Sequence, residues 1–156
     1  MLTCTTAPLR EPLEAIDPVR VELFARASSP HFDLFARVCD VDHHGTSWNV
    51  CDALARAAPG RSPQAADDSV CVVFELWPIG HRFAAGHRVR LQVSSGAHPR
   101  HARNPGTGED PITATAVRAV AVEVLHDARH ASVLFLPTTA GVGALERDDG
   151  GSQARA

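Results

Sequence analysis

The sequence predicts an all-β fold, a jelly-roll β-sandwich, on three observations. Apolar and polar residues alternate in short runs along most of the chain, the period-2 signature of strands with one buried face. Gly, Pro and Asp clusters punctuate those runs at the spacing of turns. Almost no stretch sustains the 3.6-residue apolar period of a helix. Several short strands at such spacing are the pattern of sandwiches and jelly rolls.

The elements follow in order. Val19–Arg26 alternates, with Val21, Leu23 and Ala25 on one side. Phe32–Val41 alternates again and places Phe32, Leu34, Ala36 and Val38 on one face. Asp42-His43-His44-Gly45 is the turn into a partner strand, Ser47–Ala57, and Gly45 can supply the positive φ such a turn needs. Leu54–Ala58 also fits a short helical turn, and both readings stay open. Val70, Val72, Phe74 and Leu76 mark the next strand, followed by Val89–Val93, by Val120, Val122 and Val124, and by Val133–Leu136, which Pro137 closes. Pro59–Asp68 reads as a surface loop. Residues 1–137 are predicted to form one domain, and 138–156, small, polar and Gly-rich, a disordered tail.

The totals bound the function. A chain of 156 residues, 44% hydrophobic and 21% charged, is long enough for one domain with a real core. The formal net charge of −3, mixed along the chain, gives no electrostatic reason to expect nucleic acid or an anionic membrane as partner. No apolar run approaches the roughly 20 residues that span a bilayer, and Met1–Ala15 lacks an apolar signal core, so a cytoplasmic location is expected. Cysteines stand at 4, 39, 51 and 71 with no C-x-x-C pair, unlike a structural zinc site. Cys39 and Cys51 flank one turn and could pair; two reduced thiols are the favoured reading.

The most informative stretch is Phe83–Gly108, FAAGHRVRLQVSSGAHPRHARNPGTG. Gly86-His87-Arg88 opens a strand in which Val89, Leu91 and Val93 alternate with Arg88, Arg90 and Gln92. A long polar loop follows, with Ser94, Ser95, Gly96, Pro99, Arg100, Arg103, Asn104, Pro105, Gly106 and Gly108. This resembles the F-x-x-G-H-R-x-R-L-x-x-S-S-x-x-x-P-R-x-x-R-N-x-x-T-G signature of the C-terminal domain of Xaa-Pro dipeptidyl-peptidase and cocaine-esterase-like (CocE/NonD) serine hydrolases. Leu2–Leu9 is similar to the segment that precedes the family's first recognisable strand. Phe32–Gly45 resembles its D-x-x-F-x-A-x-L-x-D-V-x-P-D-G hairpin, with His43-His44 in place of Pro-Asp. His126–Pro137 (HDARHASVLFLP) resembles its closing strand. The pieces occur in order from Leu2 to Pro137.

The resemblance implies a galactose-binding-domain-like jelly roll whose first strand or strands would lie upstream of Met1. It implies a non-catalytic role beside an α/β-hydrolase domain that hydrolyses an ester, amide or Xaa-Pro peptide bond, and support of a homo-oligomer. Gly86, His87, Arg88, Arg90, Ser94, Ser95, Pro99, Arg100, Arg103, Asn104 and Gly108 are then structural or interdomain positions. Among these, Gly86 would turn the chain, His87 would cap a buried polar contact, and Arg88 and Arg90 would stand on a polar face.

Chemistry within the chain itself is expected to be absent. A nucleophile elbow presents its Ser on a G-x-S-x-G bend, and Val93-Ser94-Ser95-Gly96 lacks the first glycine. Ser94 or Ser95 with His87 or His126 and Asp127 is a set any chain of this size contains. His98/His101, His126/His130 and His43-His44 near Asp40 and Asp42 invite a metal, and Asp33, Asp40 and Asp42 calcium; none has the spacing of a preformed ligand set. No cofactor or metal is expected. Trp48 and Trp77 are the only tryptophans and tyrosine is missing, which disfavours an aromatic sugar platform. The reading from a different class is a free-standing binding or interaction module that uses the jelly-roll loops.

Overall fold

The computed structural model describes residues 1–60 and 67–139. Eight strands form: β1 (Leu2–Thr5), β2 (Leu13–Ala27), β3 (Phe32–Val41), β4 (Ser47–Ala57), β5 (Val70–Phe83), β6 (Arg88–Ser94), β7 (Val122–Leu125) and β8 (Val133–Phe135). They build two antiparallel sheets, one ordered β1-β6-β3-β4 and the other β5-β2-β7, with β8 also paired to β2. The all-β sandwich expected from the alternation is what the chain adopts. Among the described residues, no helix is long and apolar enough to cross a membrane.

The core lies between the sheets. Val19, Val21, Leu23 and Ala25 of β2 pack with Phe32, Leu34, Ala36 and Val38 of β3, and with Val72, Leu76 and Phe83 of β5. Each fully buried aliphatic or Phe side chain contributes roughly 1.5–3 kcal/mol by leaving water. The β3–β4 hairpin keeps the predicted bounds. Gly45 takes φ of 85°, its N–H bonds Asp42 O at 3.0 Å, and Asp42 Oδ1 accepts from the His44 and Thr46 amides at 2.9 Å. Of the two readings of Leu54–Ala58, the extended one holds, since Leu54 through Ala57 pair with Phe35 through Phe32.

Four differences from the alternation are informative. The segment Leu2–Leu9, read as a lead-in, contains strand β1, which pairs with β6 along Leu2–Thr5. Strands β2 and β5 run longer than predicted because Pro18 and Pro78, which read as strand breakers, face each other at an irregularity where the ladder is already interrupted. Asp17, beside it, takes φ of 102°. Val120 precedes the last-sheet strand, which starts at Val122. Finally, β3 is buried on both faces: Asp33, Phe35, Cys39 and Val41 are as enclosed as the inward row.

Cys51 pairs with Val38 and faces the core, whereas Cys39 is the next residue along β3 and points to the other face. The four cysteines are free thiols, and burial pushes the Cys51 thiol up to about 11. Thr138 still bridges Ala15, and the Thr139 amide bonds Glu14 O at 3.2 Å. The rest of the predicted tail, from residue 140, and the middle of the Pro59–Asp68 loop lie outside the described residues.

Candidate functional site

The signature segment splits between the two ends of β6. At the first end Gly86 turns the chain with φ of 81°, and its amide bonds Leu9 O at 2.8 Å. His87 follows, and its Nδ1 lies 2.8 Å from Asp40 Oδ1. The other carboxylate oxygen, Oδ2, lies 2.9 Å from Nε2 of His81 on β5. Asp40 is only 6% exposed; it continues the inward row of β3, so a carboxylate ends an apolar line, ties its sheet to the other through His81 and holds the turn into β6 through His87. A buried carboxylate requires such partners. Arg88 donates to Thr6 O at 3.1 Å and Arg90 to Thr5 Oγ1 at 2.9 Å, which binds the lead-in strand to β6.

At the far end, past Ser94, the chain folds back over the outer face of the first sheet. That face carries cross-strand pairs set by the hairpin register: Asp33 opposite Arg56, Phe35 opposite Leu54, and Arg37 opposite Asp52. The returning loop uses the two carboxylates as sockets. Asn104 donates to Asp33 Oδ1 at 2.7 Å, while Arg56 holds both oxygens of Asp33 at 2.9 and 3.0 Å and also donates to Ala102 O. Arg100 donates to Asp52 Oδ2 at 2.6 Å, an oxygen shared with Arg37. The His101 ring lies 6.2 Å from that of Phe35. The bidentate pair is Arg56 with Asp33, while the motif's Arg100 and Asn104 each add one N–H to a buried carboxylate oxygen, which accounts for donors at these positions.

Two glycines let the loop close. A Cβ on Gly106, at φ of 74°, would stand 2.6 Å from Arg118 O, and one on Gly108, at φ of 90°, 2.6 Å from His31 Nε2. Ser29 Oγ donates to Gly106 O at 3.0 Å, and the Arg118 amide bonds Pro105 O at 2.7 Å. Beneath the loop is a cavity of about 330 Å³, reached by Ser95, His98, His101, Arg103 and Asn104. Pro99 follows His98 through a cis peptide in the same loop.

The other candidate sets are not assembled. Ser94 Oγ donates to Gly96 O at 2.9 Å, His87 is held by Asp40, and Asp127 is held by His130, while His126 is exposed. Ser94, His87 and Asp127 of the imagined triad are therefore engaged elsewhere. Among the described residues no group of three or more His, Cys, Asp or Glu converges as ligands for a metal ion. Asp33 and Asp40, weighed from sequence for calcium, serve Arg56, Asn104 and two histidines instead. His130 sits between Asp127 and Asp67 at 2.9 Å from each. Their carboxylates, Asp127 first, hold its pKa above the ordinary imidazole value. Ser69, ahead of His130, brings Asp67 down to about 2.

Sequence reasoning missed Asp52, Arg37, Arg56 and His81. Part of a signal was present: Asp40 falls in line with four apolar residues of β3. The Asp42–Gly45 turn by itself would set Asp33 opposite Ala55 and Arg37 opposite Cys51, and it is the irregularity between Val38 and Cys39 that shifts the ladder by one residue and brings Arg56 and Asp52 to them.

The geometry defines a β-sandwich whose signature loop is folded onto its own sheet, and among the described residues the candidate Ser, His and Asp set is not assembled. The model of the X-Pro dipeptidyl-peptidase C-terminal non-catalytic domain matches residues 1–134, and the chain belongs to that family. It is 28% identical over 113 residues to cocaine esterase of Rhodococcus sp., covering 69% of this chain and 20% of that protein. Among solved structures it is similar to an alpha-amino acid ester hydrolase, with a TM-score of 0.79 at 27% identity over 88% of this chain and 25% of that one. A CocE/NonD family hydrolase from Staphylococcus aureus shares the fold, with a TM-score of 0.62 at 17% identity over 88% of this chain and 30% of that one. The chain thus spans about a fifth to a quarter of the length of the first relatives it matches.

Proposed function

We propose that this chain serves as the accessory β-sandwich of a serine hydrolase of the CocE/NonD or Xaa-Pro dipeptidyl-peptidase type, and that an α/β-hydrolase domain is its partner. The hydrolase supplies the nucleophile, acid and base for cleavage of an ester, amide or Xaa-Pro peptide bond; the sandwich covers and shapes the cleft. The observation that carries this reading is the pinned signature loop. Arg100 and Asn104 are spent on internal carboxylates, so the loop presents a fixed surface to a neighbour and not a set of reacting groups. Interfaces between domains of one protein are typically polar and of this kind. Four free thiols suit a reducing compartment, and we place the protein in the cytoplasm.

Co-expression with a hydrolase domain of this family tests the reading. The expected result is a stable complex that turns over an aryl ester, with the lone chain at background. Turnover by the lone chain that disappears on Ser94→Ala or Ser95→Ala would overturn it. A cooperative melt with no association would favour a free-standing binding module.

A further inference from the structure

The cavity under the signature loop has an unusual lining. Arg103 and Arg118 both reach it, and among the described residues neither side chain has an ion pair or hydrogen bond. The single carboxylate in the lining belongs to Asp33, and Arg56 and Asn104 already occupy both its oxygens. Two guanidiniums therefore stand uncompensated at one concave surface. A third observation is independent of them. Nε2 of His101, which also lines the cavity, is buried and lacks any hydrogen-bond partner. Such an atom left unmatched costs about 1–3 kcal/mol, so a folded chain that keeps it there is short of one acceptor at this place when His101 carries its proton on Nε2.

We infer that this cavity binds an anionic group, a carboxylate or a phosphate, between Arg103, Arg118 and His101. Guanidinium presents paired N–H donors that match either oxyanion, and a turn of the half-buried His101 ring toward the cavity would add its Nε2 N–H to the set. The site differs from the Asp33 and Asp52 sockets, which hold the loop down: both oxygens of Asp33 are taken, and Asp52 holds Arg37 and Arg100 through Oδ2 while its Oδ1 is buried without a partner. The anion has two sources, a free small molecule or an acidic side chain of the hydrolase domain.

The test titrates the full chain with inorganic phosphate and, separately, succinate, each against sodium chloride of matched ionic strength. Melting temperature and the imidazole NMR signals are followed. A saturable rise in melting temperature beyond the chloride control is expected, together with movement of the His101 ring signals. Arg103→Gln and Arg118→Gln should each weaken binding about tenfold, the scale of one charge-assisted contact. Arg129→Gln, outside the cavity, should leave it unchanged. Absence of a saturable effect with both probes, or unchanged affinity in both arginine variants, would overturn the inference. Both side chains are exposed, so these variants are expected to fold. Binding is read on the chain alone, so it fails or succeeds separately from hydrolase docking. If phosphate displaces a bound hydrolase domain, the native anion is the partner's carboxylate; if both bind together, it is a free ligand.

Discussion

The outer faces of the two sheets meet different surroundings although the strands that make them have the same alternating pattern. Over β3 and β4 the face is roofed by the chain's own loop, and Asp33, Phe35 and Asp52 are buried beneath it. Over β5, β2 and β8 the described residues leave the face bare. Val73, Val133 and Phe135 stand in the open there by register, and Trp77 is 67% exposed. Period 2 says which residues share a face. It is silent about what covers the face that looks away from the core, and a carboxylate at such a position is solvated on one sheet and becomes a structural socket on the other.

Deleting a group from each face sharpens that contrast most. Asp33→Ala leaves Arg56 and Asn104 without their acceptor under the roof and is expected to cost about 3 kcal/mol, near the low end for one partner of a buried pair because Arg56 is partly solvated. Phe135→Ala on the bare face should stay within about 1 kcal/mol despite the Arg20 guanidinium 5.2 Å from its ring. Urea-unfolding midpoints compare the two; equal costs would mean the roof adds nothing to stability. Next in size is the roof's hinge. Gly106→Ala combines a left-handed φ with a 2.6 Å approach to the Arg118 carbonyl, so a loss of about 1–3 kcal/mol is expected. A wild-type melting temperature in that variant would show that the loop can close another way.

The smallest effect concerns the bare side, where His130 joins Asp127 and Asp67 beside β8. Its folded pKa is raised, so its stabilisation is fully present below the unfolded value of about 6.5 and fades as pH rises through the folded value. Asp67 works in the opposite direction: its pKa lowered to about 2 gives stability above the ordinary carboxylate range that is lost on acidification toward that value. Between mildly acidic and mildly alkaline pH the wild type should therefore lose a little stability that His130→Ala does not. A flat wild-type profile across neutrality would remove this clamp from consideration.

Much of the fold could be read from residues alone. Phe32–Val41 and Ser47–Ala57 are strands with the bounds that alternation and the Gly45 turn predict. The extent of β2 and β5 was hidden by Pro18 and Pro78, since each proline alone argues against a strand and only their pairing opposite one another makes both acceptable. The site was legible as a motif and not as an arrangement. Arg100 and Asn104 announce a polar loop, but nothing local to that loop says that its partners are Asp52 and Asp33, some fifty to seventy positions earlier. Asp40 was the nearest miss, because its two imidazoles arrive from β5 and from the turn that follows it, about 40 positions and more along the chain.

The long β2–β5 ladder also bears on how quickly the molecule can assemble. Even its nearest pair in sequence, Ala25 opposite Val70, is about 45 positions apart, so the entropy of closing that span must be met before any of the ladder's contacts form. The β3–β4 hairpin, by contrast, closes across Asp42–Gly45 and can form on the microsecond scale of isolated hairpins. Refolding is therefore expected to run on the slow, millisecond-to-second scale of sandwiches, with the second sheet zipping last onto a hairpin that was ready early.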